Sequence, residues 1–409
     1  MSEAPPARPP VPRESILLAI SLFLFVAATN ILTPLLPVIR DDFGVSIAAA
    51  GVIVGSYGLA RLAVDLPAGF LADVVGYRRL SLVAIVFLIV SSLVGLASPT
   101  VEILIAARVG SGIAVGILAM VILAALGATA SSANRGKVMS LFHVANNAGI
   151  ALYPLAGGLI GSVADWRLTF GVTAVFAVLA AALLLPLLPR IDFRTGEGRG
   201  GKADPSRVLH GRQRGIALAV TNFGVVANMI HRHGFRNTIL PLYAATVLGL
   251  GGLSIATAIA LMSIAGLLVA TPGGMLGDRI GRRRVIAAGL AAIAVGDLAF
   301  LLTGDLVSFL VVAAVIGLGD FFTSSQTSLL SEIVPAEQRT KVLAGYRFSS
   351  DLGALIGPVV LAAVMDLTDA RVAIVLAAAI LFTASVAARV GVPTPAAPAR
   401  STAPVAEQT

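Results

Sequence analysis

A small set of ionisable and amide side chains interrupts otherwise apolar stretches of this chain, and these are the residues that could do chemistry. Arg61 and Asp65 lie four apart, as do Arg347 and Asp351, which puts each pair on one face of a helix. Arg108 stands alone among small and aliphatic residues, and Asp320 comes just before Ser325 and Gln326. One short stretch holds Asn228, His231, Arg232, His233, Arg236 and Asn237 ahead of Leu240-Pro241-Leu242. Asn30, Asp297 and the group His143, Asn146 and Asn147 complete the set. Such residues can exchange protons, recognise anions or hydrogen-bonding groups, or simply pair with one another. Metal and nucleophile chemistry lacks its parts, because there is no Cys, only four His, and no His-x-x-x-His or His-Glu-x-x-His spacing. No Walker element is present, and no cofactor is implied.

The elements that must position these residues are membrane spans. The chain is 57% hydrophobic and 12% charged, with a mean hydropathy of +0.95 over 409 residues. A helix crossing the hydrocarbon layer of about 30 Å needs about 20 largely apolar residues. Runs of that kind predict helices over 14–39, 46–74, 79–98, 101–129, 137–163 and 168–189, then 215–246, 250–276, 284–304, 307–332, 341–365 and 370–391. A charge at mid-membrane costs about 2.5–3.5 kcal/mol on insertion scales, so the interrupting residues should face a cavity or each other. The first run, behind Arg8 and Arg13, is long enough to span and shows no small-residue cleavage site, so it reads as a span and not a leader. The net charge of +8 is spread over short clusters between spans, which argues against a nucleic-acid surface.

Of the 29 Lys and Arg, 21 fall in alternate breaks and tails on one side and only Arg40, Arg167 and Arg371 in the others. Basic loops stay in the cytoplasm, so both termini and the central linker are expected there, in a multi-pass protein of the cell membrane. The resulting organisation is a disordered tail over 1–13, a six-helix bundle over 14–189, a polar linker over 190–214, a second six-helix bundle over 215–392, and a disordered tail over 393–409.

The two bundles repeat each other. Residues 66–79 match 271–284 at an offset of 205, and Arg135, Lys137, Gly149 and Pro154 match Arg339, Lys341, Gly353 and Pro358 at 204. Parallel repeats of this kind imply a two-fold axis along the membrane normal, with a solute site at mid-membrane between the halves.

These motifs resemble those of the major facilitator superfamily, in particular its twelve-helix drug and metabolite:proton antiporters. The loop after helix 2 carries Gly69, Asp73, Gly76, Arg78 and Arg79, and the loop after helix 8 carries Gly274, Asp278, Arg279, Gly281, Arg282 and Arg283. Helix 4 carries Arg108, Gly112 and Gly116. Helix 5 carries Gly149, Pro154, Gly157 and Gly158, similar to the family's antiporter element but with Tyr153 in place of a glycine. The resemblance implies an all-α integral membrane fold of twelve helices in two pseudo-symmetric six-helix bundles, working as a monomer by alternating access.

It also implies roles. The loop residues, with Glu332, form a conformational latch that is asymmetric, since the first half lacks both the second loop arginine and the acid. Gly112, Gly149, Pro154, Gly157 and Gly158 serve close packing. The pathway for substrate and protons is expected to use Asn30, Arg61, Asp65, Arg108, His143, Asn147, Asn228, His231, Arg232, Arg236, Asp320, Gln326, Arg347 and Asp351. The expected activity is proton-driven efflux of small drugs or metabolites, with the proton gradient as energy source and a small molecule and the bilayer as partners. Proton-coupled import or facilitated passage of an organic anion, lipid or amphiphile transport, and a non-transporting receptor are the alternatives.

Overall fold

Apolar runs broken by glycine turns and charge clusters leave the chain one option in lipid, which is to satisfy its backbone inside helices. The computed structural model describes residues 11–65, 67–131, 134–193 and 208–391, and these form twelve helical rods. They are α1 (Arg13–Phe43), α2 (47–75), α3 (Tyr77–Leu96), α4 (Val101–Thr129), α5 (Arg135–Val163), α6 (Leu168–Arg190), α7 (211–246), α8 (Gly252–Ile280), α9 (Arg282–Leu302), α10 (306–333), α11 (Arg339–Leu367) and α12 (Ala370–Gly391). Ten are long and apolar enough to cross a membrane, and the two outside that set are α5 and α7, which carry the polar runs. The first ten residues, 194–207 of the linker and 392–409 lie outside the described residues.

Three rods depart from simple helices for local reasons. In α1 the helix stops at Asn30, a 3-10 turn covers Thr33–Leu35, and the helix resumes over Leu36–Phe43, because Pro34 and Pro37 have no N–H to donate. The rod therefore runs four residues beyond the expected end. At its start, α7 reaches back to Gly211 into the expected linker, and over Ile230–Ile239 it winds as a π-helix. The Leu240 N–H bonds the Phe235 carbonyl, Thr238 Oγ1 donates to the His233 carbonyl at 2.9 Å, and Pro241 follows without a donor. Asp305 caps α10, its side chain accepting from the Ser308 N–H at 2.8 Å in a reciprocal capping box.

Each set of six rods has its own apolar core, one built around Leu22, Phe25, Leu104 and Leu118, the other around Phe235, Leu290, Phe300 and Phe322. The turns Gly76 and Gly281 show the repeat at backbone level. Both sit at positive φ, +88° and +96°, a conformation that side chains resist.

The halves meet along one end of the bundle. Small residues let helices approach closely there, in the manner of membrane interfaces. A Cβ on Gly51 of α2 would come within 2.5 Å of the Pro358 carbonyl oxygen of α11, and one on Gly58 within 2.9 Å of backbone at Ala354 and Leu355. Across the pseudo-axis, a Cβ on Gly158 of α5 would lie 2.8 Å from the Gly252 carbonyl oxygen of α8. The Asp366 carboxylate accepts from the Ile47 N–H at 3.2 Å at the rim. This structure is therefore closed on the side opposite the arginine-rich turns.

Candidate functional site

Just beyond the closed contact, toward the arginine-rich turns, the polar side chains of both halves converge. Asp351 lies seven residues before Pro358 on α11, so it sits about 10 Å nearer that side by helix rise. On α2, Arg61 is one turn from the tight Gly58 contact. Its Nη2 reaches Asp65 Oδ2 at 3.4 Å on its own helix and Asp351 Oδ1 at 3.8 Å on α11. The two carboxylates, one from each half, thus meet at the same guanidinium nitrogen. A cavity of about 160 Å³ opens on this cluster, lined also by Arg347, Ser350, Met120 and Phe142.

A larger cavity of about 440 Å³ lies beside it, between α5 of the first half and α7, α8 and α10 of the second. His143, Asn146 and Asn147 face Arg232, Arg236 and Asp320 across it, with Ile150, Leu267 and Ala270 as apolar wall. Arg232 Nη2 donates to Asp320 Oδ2 at 2.9 Å. Arg236 is 4% exposed, and its one polar contact is a long 3.5 Å bond from Nε to Asn237 Oδ1.

Arg108 occupies a third position, in a small recess under the closed end with Thr29, Tyr57, His233 and Asn237. It is 5% exposed, donates to the Ala28 carbonyl at 2.7 Å, and lies 4.9 Å above the Tyr57 ring. Among the described residues, no carboxylate lies within 4 Å of Arg108 or Arg236.

Other expected pathway residues sit elsewhere. His231 turns away from the cavities into the second bundle, where Nδ1 lies 3.0 Å from Asp297 Oδ2, both residues being buried. One residue before Arg232, His231 stands about 80–100° round the helix from it and so meets a different neighbour, Asp297 of α9. Asn30 and Asn228 are buried and line none of the three cavities. Gln326 accepts from Tyr346 Oη at 3.4 Å, also away from them.

The latch residues divide unequally. Arg282 bonds Glu332 and Asp278, each at 2.8 Å, while among the described residues Asp73, Arg78 and Arg79 have no ion pair within 4 Å. In the first half Tyr77 stacks on Phe193 instead, centroids 3.8 Å apart. Both Arg282 pairs lie inside the second half. Gly69 has nothing within 4 Å of where a Cβ would stand, so close approach is not its role; in the second copy Gly273 and Gly277 are the crowded positions, against Phe321 and Ser325. Gly281 sets its turn through its positive φ.

The packing glycines lie against neighbours. Gly112 meets Tyr57 and Ala60, Gly149 meets Val26, Gly157 meets the Ile31 carbonyl, and Gly158 meets α8, while Pro154 sits inside α5. Sequence reading misses Gly51, Gly55 and Gly58, whose spacing on one face of α2 is the available signal, and it misses Tyr57; Asn237, read as one of the polar residues of α7, lines the Arg108 recess.

Two like six-helix bundles enclosing polar cavities, closed at one end by helix contacts, are the architecture of a membrane transporter. The chain belongs to the major facilitator superfamily, whose model matches residues 18–266 and again 223–409. It is 34% identical over 182 residues to the puromycin resistance protein of Streptomyces alboniger, covering 44% of this chain and 36% of that protein. It is 35% identical over 179 residues to the arabinose-proton symporter of Escherichia coli, covering 43% and 38%. These matches thus span little more than a third of each relative. A crystal structure of a mutant of the peptide transporter POT superposes with a TM-score of 0.76 at 15% identity, over 92% of this chain and 94% of that one, a likeness of fold alone.

Proposed function

We propose that the protein is a proton-coupled exporter of small organic compounds, in which a proton shared by Asp65 and Asp351 ties the two halves together. The observation that supports this reading is the placement of two carboxyl groups, one from each half, within 4 Å of the same Arg61 nitrogen at the inner edge of the closed contact. Two acids that share one guanidinium are not both neutralised by it, so a proton on one of them balances the cluster.

Loss of that proton leaves two carboxylates facing each other across the interface. Unit charges about 4 Å apart at an effective dielectric of about 20 interact by roughly 4 kcal/mol, the upper end of what two carboxylates around Arg61 would feel before that guanidinium offsets part of it. Reversing a two-state equilibrium from 1:99 to 99:1 takes about 5.5 kcal/mol, so this is a substantial share. The proton thus favours the closed state seen here, and its release favours opening of the closed end. Solute would enter from the arginine-rich, cytoplasmic side, leave as the far end opens, and a proton taken up there would return the protein. Export is favoured by the helix 5 glycines and by the resistance protein among the relatives; the symporter relative makes proton-coupled import the second reading.

The test is flux in reconstituted vesicles under an imposed pH gradient, with a panel of radiolabelled neutral, cationic and anionic compounds. Wild type drives at least one compound against its gradient, and Asp351→Asn, which cannot release a proton, abolishes driven flux while leaving the protein folded. Undiminished pH-driven flux in Asp351→Asn overturns the assignment.

A further inference from the structure

We infer that the 440 Å³ cavity binds a carboxylate-bearing organic solute, with Arg236 as its anchor and Arg108 as the next station toward the closed end. This rests on the transporter reading above and names the substrate class of that same site.

The argument is one of charge and burial. Of the guanidiniums in the interior, Arg61 is engaged by Asp65 and Asp351, and Arg232 by Asp320. Arg236 and Arg108 are 4% and 5% exposed, yet among the described residues each hydrogen-bonds a neutral oxygen, the Asn237 amide and the Ala28 carbonyl, with no carboxylate in contact; Asp320, across the cavity from Arg236, is engaged by Arg232. A buried guanidinium without a counter-charge is costly, because the ion has lost most of its hydration. Two such groups bordering adjoining cavities are what a site looks like when the anion arrives with the ligand.

The remaining chemistry fits a carboxylate with an apolar body. Asn146 and Asn147 can donate to its oxygens from the opposite wall, while Ile150 and Leu267 offer apolar surface. The volume lies within the range of about 300–1,000 Å³ that suits small organic ligands. Arg108 lies farther toward the closed end, with His233 and Asn237 between it and Arg236 along α7. His233 and Asn237, which flank Arg236 on α7, line the recess together with Arg108, so cavity and recess adjoin at this point of the helix. An anion leaving the cavity as the far end opens therefore passes from one guanidinium to the next without crossing an unpaired acid.

The experiment uses a matched probe series of one shape and three charges, 2-naphthoate, 2-naphthamide and 2-naphthylmethylammonium. Binding to the detergent-purified full chain is measured by calorimetry, and flux of the same compounds is measured in vesicles. Wild type is expected to bind the carboxylate at least tenfold more tightly than the amide or the ammonium. Arg236→Gln should lose that preference, Arg236→Lys should retain part of it, and Arg108→Gln should keep binding but slow flux. Equal or better binding of the ammonium, no binding of any of the three, or an unchanged carboxylate preference in Arg236→Gln overturns the inference. Driven flux of the ammonium or amide with the carboxylate ignored sinks this inference and leaves the transporter reading standing. Carboxylate binding lost in Arg236→Gln, with no compound moved, sinks the transporter reading and leaves the site.

Discussion

Gly51→Val should open the closed end of the bundle without unfolding it. At Gly51 the first atom of any side chain would meet the Ala362 side chain and come within 2.5 Å of the Pro358 carbonyl oxygen. Neither partner can swing away, since one is backbone and the other is a Cβ, so relief requires α2 and α11 to separate. Overpacking of this sort costs about 1–3 kcal/mol, and here it falls only on the closed state. At 1.4 kcal/mol per tenfold, the closed-to-open ratio should fall by roughly 5- to 150-fold. The chain has no Cys, so a single Val54→Cys in the recess beneath the contact reports access cleanly. With a membrane-impermeant maleimide applied from the side of the 44–46 turn, labelling should accelerate by a comparable factor in Gly51→Val. Gly69→Val, where a Cβ meets nothing within 4 Å, is the control and should label at the parent rate. An unchanged rate in Gly51→Val, or equal acceleration in both, refutes the argument that α2–α11 contact closes this end.

Three further outcomes follow from particular contacts. Asp297→Ala strands a buried His231 and should destabilise the second bundle by about 3–5 kcal/mol, read as a large drop in melting temperature in detergent, with His231→Ala adding little once Asp297 is gone. The Ser308 backbone N–H holds the Asp305 carboxyl below the usual carboxylate range, so its contribution is present at neutral pH and is lost as pH falls below about 4. The difference in melting temperature between wild type and Asp305→Ala should accordingly shrink on acidification. Glu332→Gln removes the less exposed carboxylate of a mostly buried pair and leaves Arg282 with the exposed Asp278, so it should lower stability by about 1–3 kcal/mol, read as a drop in melting temperature in the same assay.

The architecture was legible in the sequence because length, hydropathy and the repeat at offsets 204–205 each constrain it separately. Within single elements the reading also held: the Arg61–Asp65 pair follows from i,i+4 spacing, and the Arg282–Glu332 contact follows from the loop motif. What spacing could not reveal was which helices of the two halves meet. The Asp351–Arg61 contact joins α11 to α2, and nothing local to either residue specifies the other. Gly51, Gly55 and Gly58 were passed over because small residues in an apolar helix look alike whether they face lipid or another backbone. His231 is read as a pathway residue because a polar side chain in a span points to the cavity, yet its partner Asp297 lies on α9 within the same half, and nothing local to His231 specifies it.

The central claim is that the two ends of the bundle open alternately under control of the proton between the halves. Spin labels at Ser46→Cys and Thr368→Cys span the closed end, and labels at Arg78→Cys and Arg279→Cys span the arginine-rich end. Distances by double electron-electron resonance should move oppositely as pH is raised from 5.5 to 8.5, the first pair lengthening and the second shortening, with Asp351→Asn holding both near their low-pH values. Distances that change together, or a pH response that survives in Asp351→Asn, would contradict it.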